Sequence, residues 1–258
     1  MALRLKKEGE MQDTSKEFRD KRIAMLIDGD NAQPALLGEM ITEAGKYGLV
    51  TIRRIYGDWT TTNMNSWKEG LNIHAIQPIQ QFRYTTGKNA TDSSMIIDAM
   101  DILHEGVVTG FCLVSSDSDY TRLATRIREK GSFVMGIGKR TTPKAFVNAC
   151  ELFVYTENLR SSTNVKTSPP AKKRKESPEE PEPLPLLKTA VDMSLQEDGW
   201  SHLAAVGNRL RQLDPGFDVR TYNFKQLSQL FKSHSKHFEI REEKNLEGTN
   251  QIYIRSRT

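Results

Sequence analysis

Between Lys21 and about Arg160 the chain alternates two hydrophobic rhythms. Short, nearly continuous apolar runs recur at Ile23–Ile27, Val50–Tyr56, Ile73–Ile79, Phe111–Ser115 and Phe133–Ile137, with a further run at Leu152–Tyr155. Between them lie "QPALLGEMITEAGKYG", "NMNSWKEGL", "DSSMIIDAMDILHEG", "SDYTRLATRIREKG" and "TPKAFVNAC". Several of these place apolar residues at i, i+3 and i+4, and several close on Gly, which predicts helices. Strands that stay apolar throughout, alternating with helices, predict an α/β domain whose parallel sheet is covered on both faces.

Both rhythms stop at residues 161–185, "SSTNVKTSPPAKKRKESPEEPEPLP". This stretch cannot bury a core and is expected to be a disordered linker, as residues 1–20 are expected to be a flexible tail. Its Lys172–Lys175 run, "KKRK", reads as a solvated charge run, with a nuclear signal or an electrostatic tether as the alternatives. Periodicity resumes over residues 186–258. Helices are expected at 186–197, Ser201–Leu213 and Phe224–Phe231, then strands at Phe238–Glu242 and Gln251–Ile254 around "EKNLEGTN". Three helices followed by a hairpin is the order of a winged helix-turn-helix.

Composition narrows the classes. Hydrophobic content of 37% suits a core with solvated segments. No apolar run approaches the roughly 20 residues that span a bilayer, so no membrane partner is expected. The charged N-terminus has no apolar segment of the secretory kind. Cys112 and Cys150 sit among apolar neighbours without C-x-x-C spacing, as reduced core thiols of a cytoplasmic protein do. Net charge is only +4, and residues 21–160 carry 16 Lys/Arg against 15 Asp/Glu. Binding to a polyanion would have to come from local arrangement.

The candidate chemistry lies in carboxylates. Asp28 and Asp30 end the first predicted strand, Asp92 opens a helix that Thr91 could cap, and Asp117 and Asp119 follow the strand "FCLVSS". In an open parallel sheet all strands end on one side, where ligands bind at the topological switch point. Asp28, Asp92, Asp117 and Asp119 would converge there. Any one of them could be a helix cap; four at one edge point further. Crowded carboxylates repel unless a cation lies between them, and hard oxygen donors without His or Cys point to Mg²⁺ or Mn²⁺. Such a site can activate water and stabilise charge on a phosphodiester. Asp98 reads as a structural or supporting group and Asp101 as solvated. Ser116 and Ser118 read as helix caps, and Trp59 and Trp67 as packing residues.

A phosphatase of the haloacid dehalogenase type also begins with an apolar strand and D-x-D, making Asp28 a nucleophile. The helix that starts near Gln33 and Pro34 does not fit that pattern. Taken together, "LIDGDN", "RRIYGDW", "GKNATDSSMIIDAMD", "LVSSDSDYTRLATRIREKG" and "VMGIGKRTTPKAFVNACELFVY" resemble the NYN family, the LabA-like branch of the PIN-like nucleases. The resemblance covers about residues 21–157 of a domain placed at 21–160 and implies a PIN-like three-layer α/β/α sandwich with a mostly parallel sheet. It also implies metal-dependent RNA cleavage, with the metal-binding acids at Asp28, Asp92, Asp117 and Asp119 and with Asn31 completing the first cluster. Asp30 falls where the family is looser. The segment "GWSHLAAVGNRLRQLDPGFDVRTYNFKQLSQLFKSHSKHFEI" resembles a LOTUS (OST-type helix-turn-helix) domain. That resemblance implies a small winged-helix-like unit that binds RNA, including G-rich RNA, or docks a protein partner. Asn223 stands where many LOTUS members have Gly.

Substrate contacts are expected from Arg54, Lys88, Lys139 and Arg140, with Arg83 and Tyr84 beside Phe82, and with Tyr56 as a stacking candidate. Arg53 and Arg54 alternate along a strand, so only one can face the site. In the C-terminal unit Arg209, Arg211, Arg220, Lys225, Lys232 and Lys236 offer a discontinuous basic surface. The expectation is a cytoplasmic, Mg²⁺- or Mn²⁺-dependent ribonuclease acting on single-stranded or structured RNA, compatible with a homo-oligomer. The alternative is a non-catalytic RNA-binding adaptor that keeps the fold.

Overall fold

The computed structural model of the chain describes residues 21–82, 90–163, 182–244 and 250–257, and for residues 90 and 160–163 the backbone alone. The 1–20 tail, the KKRK run and the expected substrate residues Arg83, Tyr84 and Lys88 lie outside the described residues. Two compact units divide at Arg160 and Ser161 and hold separate cores.

The first unit runs β1 (Arg22–Asp28), α1 (Leu37–Ala44), β2 (Leu49–Gly57), α2 (Lys68–Ile73), β3 (Gln77–Gln80) and α3 (Ala90–Glu105), then β4 (Gly110–Val114), α4 (Thr121–Glu129), β5 (Phe133–Gly138), α5 (Lys144–Ala149), β6 (Leu152–Tyr155) and α6 (Thr156–Thr163). All neighbouring strands are parallel, in the order β3-β2-β1-β4-β5-β6. This doubly wound order reverses direction between β1 and β4, which places the switch point at their C-terminal ends.

Strand periodicity splits the core in two. Ile23, Met25 and Ile27 pack with Leu37 and Met40 on one face. Ala24 and Leu26 pack with Met95, Ala99, Phe111, Leu113 and Leu123 on the other. The sandwich therefore has helices on both sides of the sheet. Two glycines permit close approach at its edge. A Cβ on Gly29 would lie 2.8 Å from the Tyr56 carbonyl oxygen, and one on Gly138 would lie 2.4 Å from that of Ser115.

Two expectations need correction here. The run Ile73–Ile79 is not one strand, because Ile73 closes α2, Ala75 adopts φ 50°, and β3 begins only at Gln77. Apolar runs of this length do not distinguish a helix end from a strand. Helices α6 and, in the second unit, α7 (Leu184–Asp192) also enter the stretch assigned to the linker.

The second unit continues with β7 (Ser201–His202), α8 (Leu203–Leu213), α9 (Leu227–Ser233), β8 (Phe238–Lys244) and β9 (Asn250–Ser256). Its antiparallel sheet has the order β7-β9-β8, and Leu187, Val191, Leu210, Phe231, Phe238 and Ile254 fill its core. Ser201 and His202 pair with β9 and are not helical as expected; the His202 ring instead accepts from Ala204 N–H at 3.3 Å and caps α8. The Arg241 and Arg255 guanidinium groups lie 4.6 and 4.7 Å from the ring centre of the buried Trp200. Of the expected basic surface, Arg220 pairs with Asp218 and Lys232 with Glu242, while Arg211, Lys225 and Lys236 form no ion pair among the described residues.

Candidate metal centre

Continuing the period of two along β1 puts Asp28 on the face of Ala24 and Leu26, and along β4 puts Ser115 on the face of Phe111 and Leu113. The two side chains meet at the switch point, where Ser115 Oγ donates to Asp28 Oδ2 at 2.8 Å. The same Oδ2 accepts from Asn31 Nδ2 at 2.6 Å, and Oδ1 accepts from the backbone N–H groups of Asp30 and Asn31 at 3.2 and 3.3 Å. Asp28 is fully buried and accepts four hydrogen bonds. Burial pushes its pKa up, the Asn31 and Ser115 bonds oppose the shift, and the charges of Asp92 and Asp30 add to it.

From Ser115 the network runs outward. Its Oγ accepts from Asp117 N–H at 3.1 Å, and Asp117 Oδ1 accepts from Asp119 N–H at 2.9 Å. Asp117 thereby caps the 3₁₀ turn Ser118–Tyr120. The buried Tyr120 at the end of that turn donates its O–H to Asp92 Oδ1 at 2.7 Å. Asp92, Asp117 and Asp119 each offer an oxygen within 4.8 Å of the other two. Asp92 is pushed above the ordinary carboxylate range by burial first, against the Tyr120 bond, with Asp117, Asp119 and Asp30 adding repulsion.

Three of the four expected acids therefore converge. Asp28 does not join that trio among the described residues. It lies deeper and serves the turn and Ser115, because residues that follow β1 and β4 saturate both its oxygens. Asn31 is bound to Asp28. Asp30 Oδ2 accepts from Thr91 Oγ1 at 3.1 Å, so Thr91, already inside α3, does not cap that helix. Neither serine expected as a cap caps through its side chain here: Ser116 Oγ accepts from Lys139 N–H at 2.9 Å, and Asp117 holds the capping position beside Ser118.

Lys139 is exposed, beyond the end of β5, and its ammonium forms no ion pair among the described residues. Arg140 is anchored, with its N–H on the Glu157 carboxylate at 3.2 Å and its guanidinium 3.5 Å from Asn158 Oδ1. Arg54 is ion-paired with Asp98, which also accepts from the Tyr56 hydroxyl. Tyr56 is fully buried and cannot stack on a base. Arg53 turns to the opposite face and donates to the His74 carbonyl at 2.9 Å. The two indoles pack as expected: Trp67 N–H donates to the Gly29 carbonyl at 3.2 Å, and Trp59 N–H donates to that of Ile79 at 3.0 Å.

Sequence reasoning passed over Ser115 and Tyr120 as working parts of the edge, and over Asp58. Asp58 directly follows β2 and ties its loop to β3 by accepting from Thr60 Oγ1 at 2.6 Å and Gln80 Nε2 at 2.9 Å. The strand period was the available signal for Ser115; nothing in the local sequence marks the other two.

A doubly wound parallel sheet with an acidic trio at its switch point defines a nuclease-like α/β fold. Residues 22–159 match the NYN domain, and the chain belongs to that family. Residues 180–246 match the OST-HTH/LOTUS domain that follows it. Among solved structures the chain is similar to a protein of unknown function from Vibrio parahaemolyticus, at 19% identity over 54% of this chain and 94% of that one, with a TM-score of 0.46. It is also similar to an uncharacterised protein from Nitrosomonas europaea, at 30% identity over 37% of this chain and 92% of that one, with a TM-score of 0.28. No curated protein matches. Among the described residues no helix is long and apolar enough to cross a membrane.

Proposed function

We propose that the chain is a divalent-metal-dependent ribonuclease, acting on single-stranded or structured RNA, whose second unit adds RNA affinity or docks a protein partner. One observation carries this reading: Asp92, Asp117 and Asp119 converge at the switch-point edge of a NYN domain. The donors are all hard oxygens, which suit Mg²⁺ or Mn²⁺ and not zinc. Burial is the main cause that raises Asp92, and the smaller repulsions from Asp117, Asp119 and Asp30 add to it; a cation among these carboxylates would relieve both. When bound, such an ion supplies Lewis acidity toward the phosphodiester and acidifies a water.

The chain's own residues perform the remaining work. Tyr120 orients Asp92 and favours its ionised form by donating to Oδ1. Asp117 holds Asp119 through the capped turn, and Asp28 fixes Ser115, which fixes Asp117. Lys139 is placed to neutralise a substrate phosphate, with Arg140 and Asn31 flanking the same edge. Lys88, Arg83 and Tyr84 keep their proposed substrate roles on the sequence reading. Arg54, neutralised by Asp98, does not serve as a phosphate contact in this reading. The full burial of Asp28 and its four hydrogen bonds favour the ribonuclease over a phosphatase, in which Asp28 would need a free lone pair for attack. A cytoplasmic location suits the two buried free thiols, Cys112 and Cys150.

With Mn²⁺ or Mg²⁺, the wild type should cut labelled single-stranded RNA and Asp117→Asn should not. If neither protein cuts any RNA pool while both bind it, the chain is an adaptor and the proposal fails.

A further inference from the structure

Beside the trio, α3 and β3 enclose an open groove of about 660 Å³, within the size range of small-molecule sites. Its lining includes Ile79 and Ile97 as apolar walls, Gln77 and Gln81 as amides, and Asp98 and Asp101 as carboxylates. Ser93 and Ser94 line its upper end and directly follow Asp92, so the groove opens within one helical turn of the acidic trio. Ile97 is 63% exposed although it is a large apolar side chain at the groove wall.

The charges say what can enter. Among the described residues Arg54 is the only cation in the lining, and Asp98 already neutralises it. Asp101 is exposed and makes no ion pair among the described residues. The described lining is therefore net negative and disfavours a phosphate. A flat, neutral ring with N–H donors along one edge meets complementary groups: apolar walls for its faces, and carboxylates, which only accept, for its edge.

Resting on the ribonuclease reading above, we infer that this groove receives one unpaired guanine of the RNA substrate, read by Asp101. Guanine sets N1–H and the N2 amino group side by side, and two adjacent donors match two carboxylate oxygens. Uracil, with one donor flanked by carbonyl oxygens, meets repulsion. Adenine and cytosine each set an acceptor beside their amino group.

The test measures anisotropy of labelled oligouridylates binding to the full chain in EDTA. One oligonucleotide is all uridine, one has a single central guanosine, and one has inosine at that position. The wild type should favour guanosine over uridine by roughly tenfold, the scale of one good bidentate base contact, with inosine between. In Asp101→Asn the guanosine-to-uridine ratio should fall to about one. Asp101 is exposed, so this change is not expected to disturb folding. Equal affinities in the wild type, or an unchanged ratio in Asp101→Asn, overturns the inference. The readout needs no cleavage. A chain that discriminates through Asp101 but never cuts RNA overturns only the ribonuclease reading, and one that cuts without discriminating overturns only this one.

Discussion

Tyr120 and Asp92 form a coupled pair in which each group limits the other. Burial drives the tyrosine hydroxyl's pKa far upward, so it stays a donor at every physiological pH, and its bond to Asp92 is the main influence holding that carboxyl down. Tyr120→Phe should cost about 1 kcal/mol in urea unfolding, the usual net value of one hydrogen bond, and should weaken Mn²⁺ binding because Asp92 then ionises less readily. The sign with pH follows from linkage. A carboxyl whose folded pKa is raised contributes stability that is complete below 3.8 and is lost as pH rises through the folded value. Asp92→Asn removes that loss while its side-chain oxygen can still accept from Tyr120. Without metal, the melting-temperature advantage of Asp92→Asn over wild type should be smallest near pH ~4 and should grow toward pH ~7. A flat or shrinking difference contradicts the upward shift that burial and the neighbouring carboxylates give Asp92. At this scale the acids themselves could be read from strand ends and spacing. What separates Asp28 from the other three is its partner Ser115, 87 residues away, and no local pattern records that contact.

Among elements, the turn before α9 shows what a single substitution of the usual residue does. Asn223 adopts φ 63° and ψ 25°, the left-handed conformation that glycine enters without strain and asparagine tolerates best among the other residues. It ends the Val219–Tyr222 turn, and because Gln226 is extended, α9 begins at Leu227 and not at Phe224 as periodicity suggested. Asn223→Gly should therefore be close to neutral, while Asn223→Ala should cost about 1 kcal/mol, measured by chemical denaturation of the full chain. If alanine costs nothing, the backbone does not need this conformation. The central strands were legible because an apolar run buried on both faces has few other readings. The start of the short edge strand β3, with its Pro78, was not, since the apolar run from Ile73 does not separate the end of α2 from the strand that follows. The two arginines of β2 show the same limit: alternation predicted opposite faces, but only the packing of α3 reveals that Asp98 takes Arg54.

For the molecule as a whole, two cores with no shared cluster imply two unfolding steps. Calorimetry should resolve two transitions, and Mn²⁺ should raise only that of the NYN unit, by linkage about 2.7 kcal/mol at a hundredfold excess over its dissociation constant. A shift in both transitions, or in neither, would place the ion elsewhere or nowhere. The proposed ribonuclease requires that Asp92, Asp117 and Asp119 together hold a divalent cation. Anomalous diffraction from a crystal of the full chain soaked in Mn²⁺ tests it most directly. A peak is expected about 2.1 Å from one oxygen of each of the three carboxylates. No peak at the switch-point edge, or one bound without Asp117 and Asp119, would contradict it.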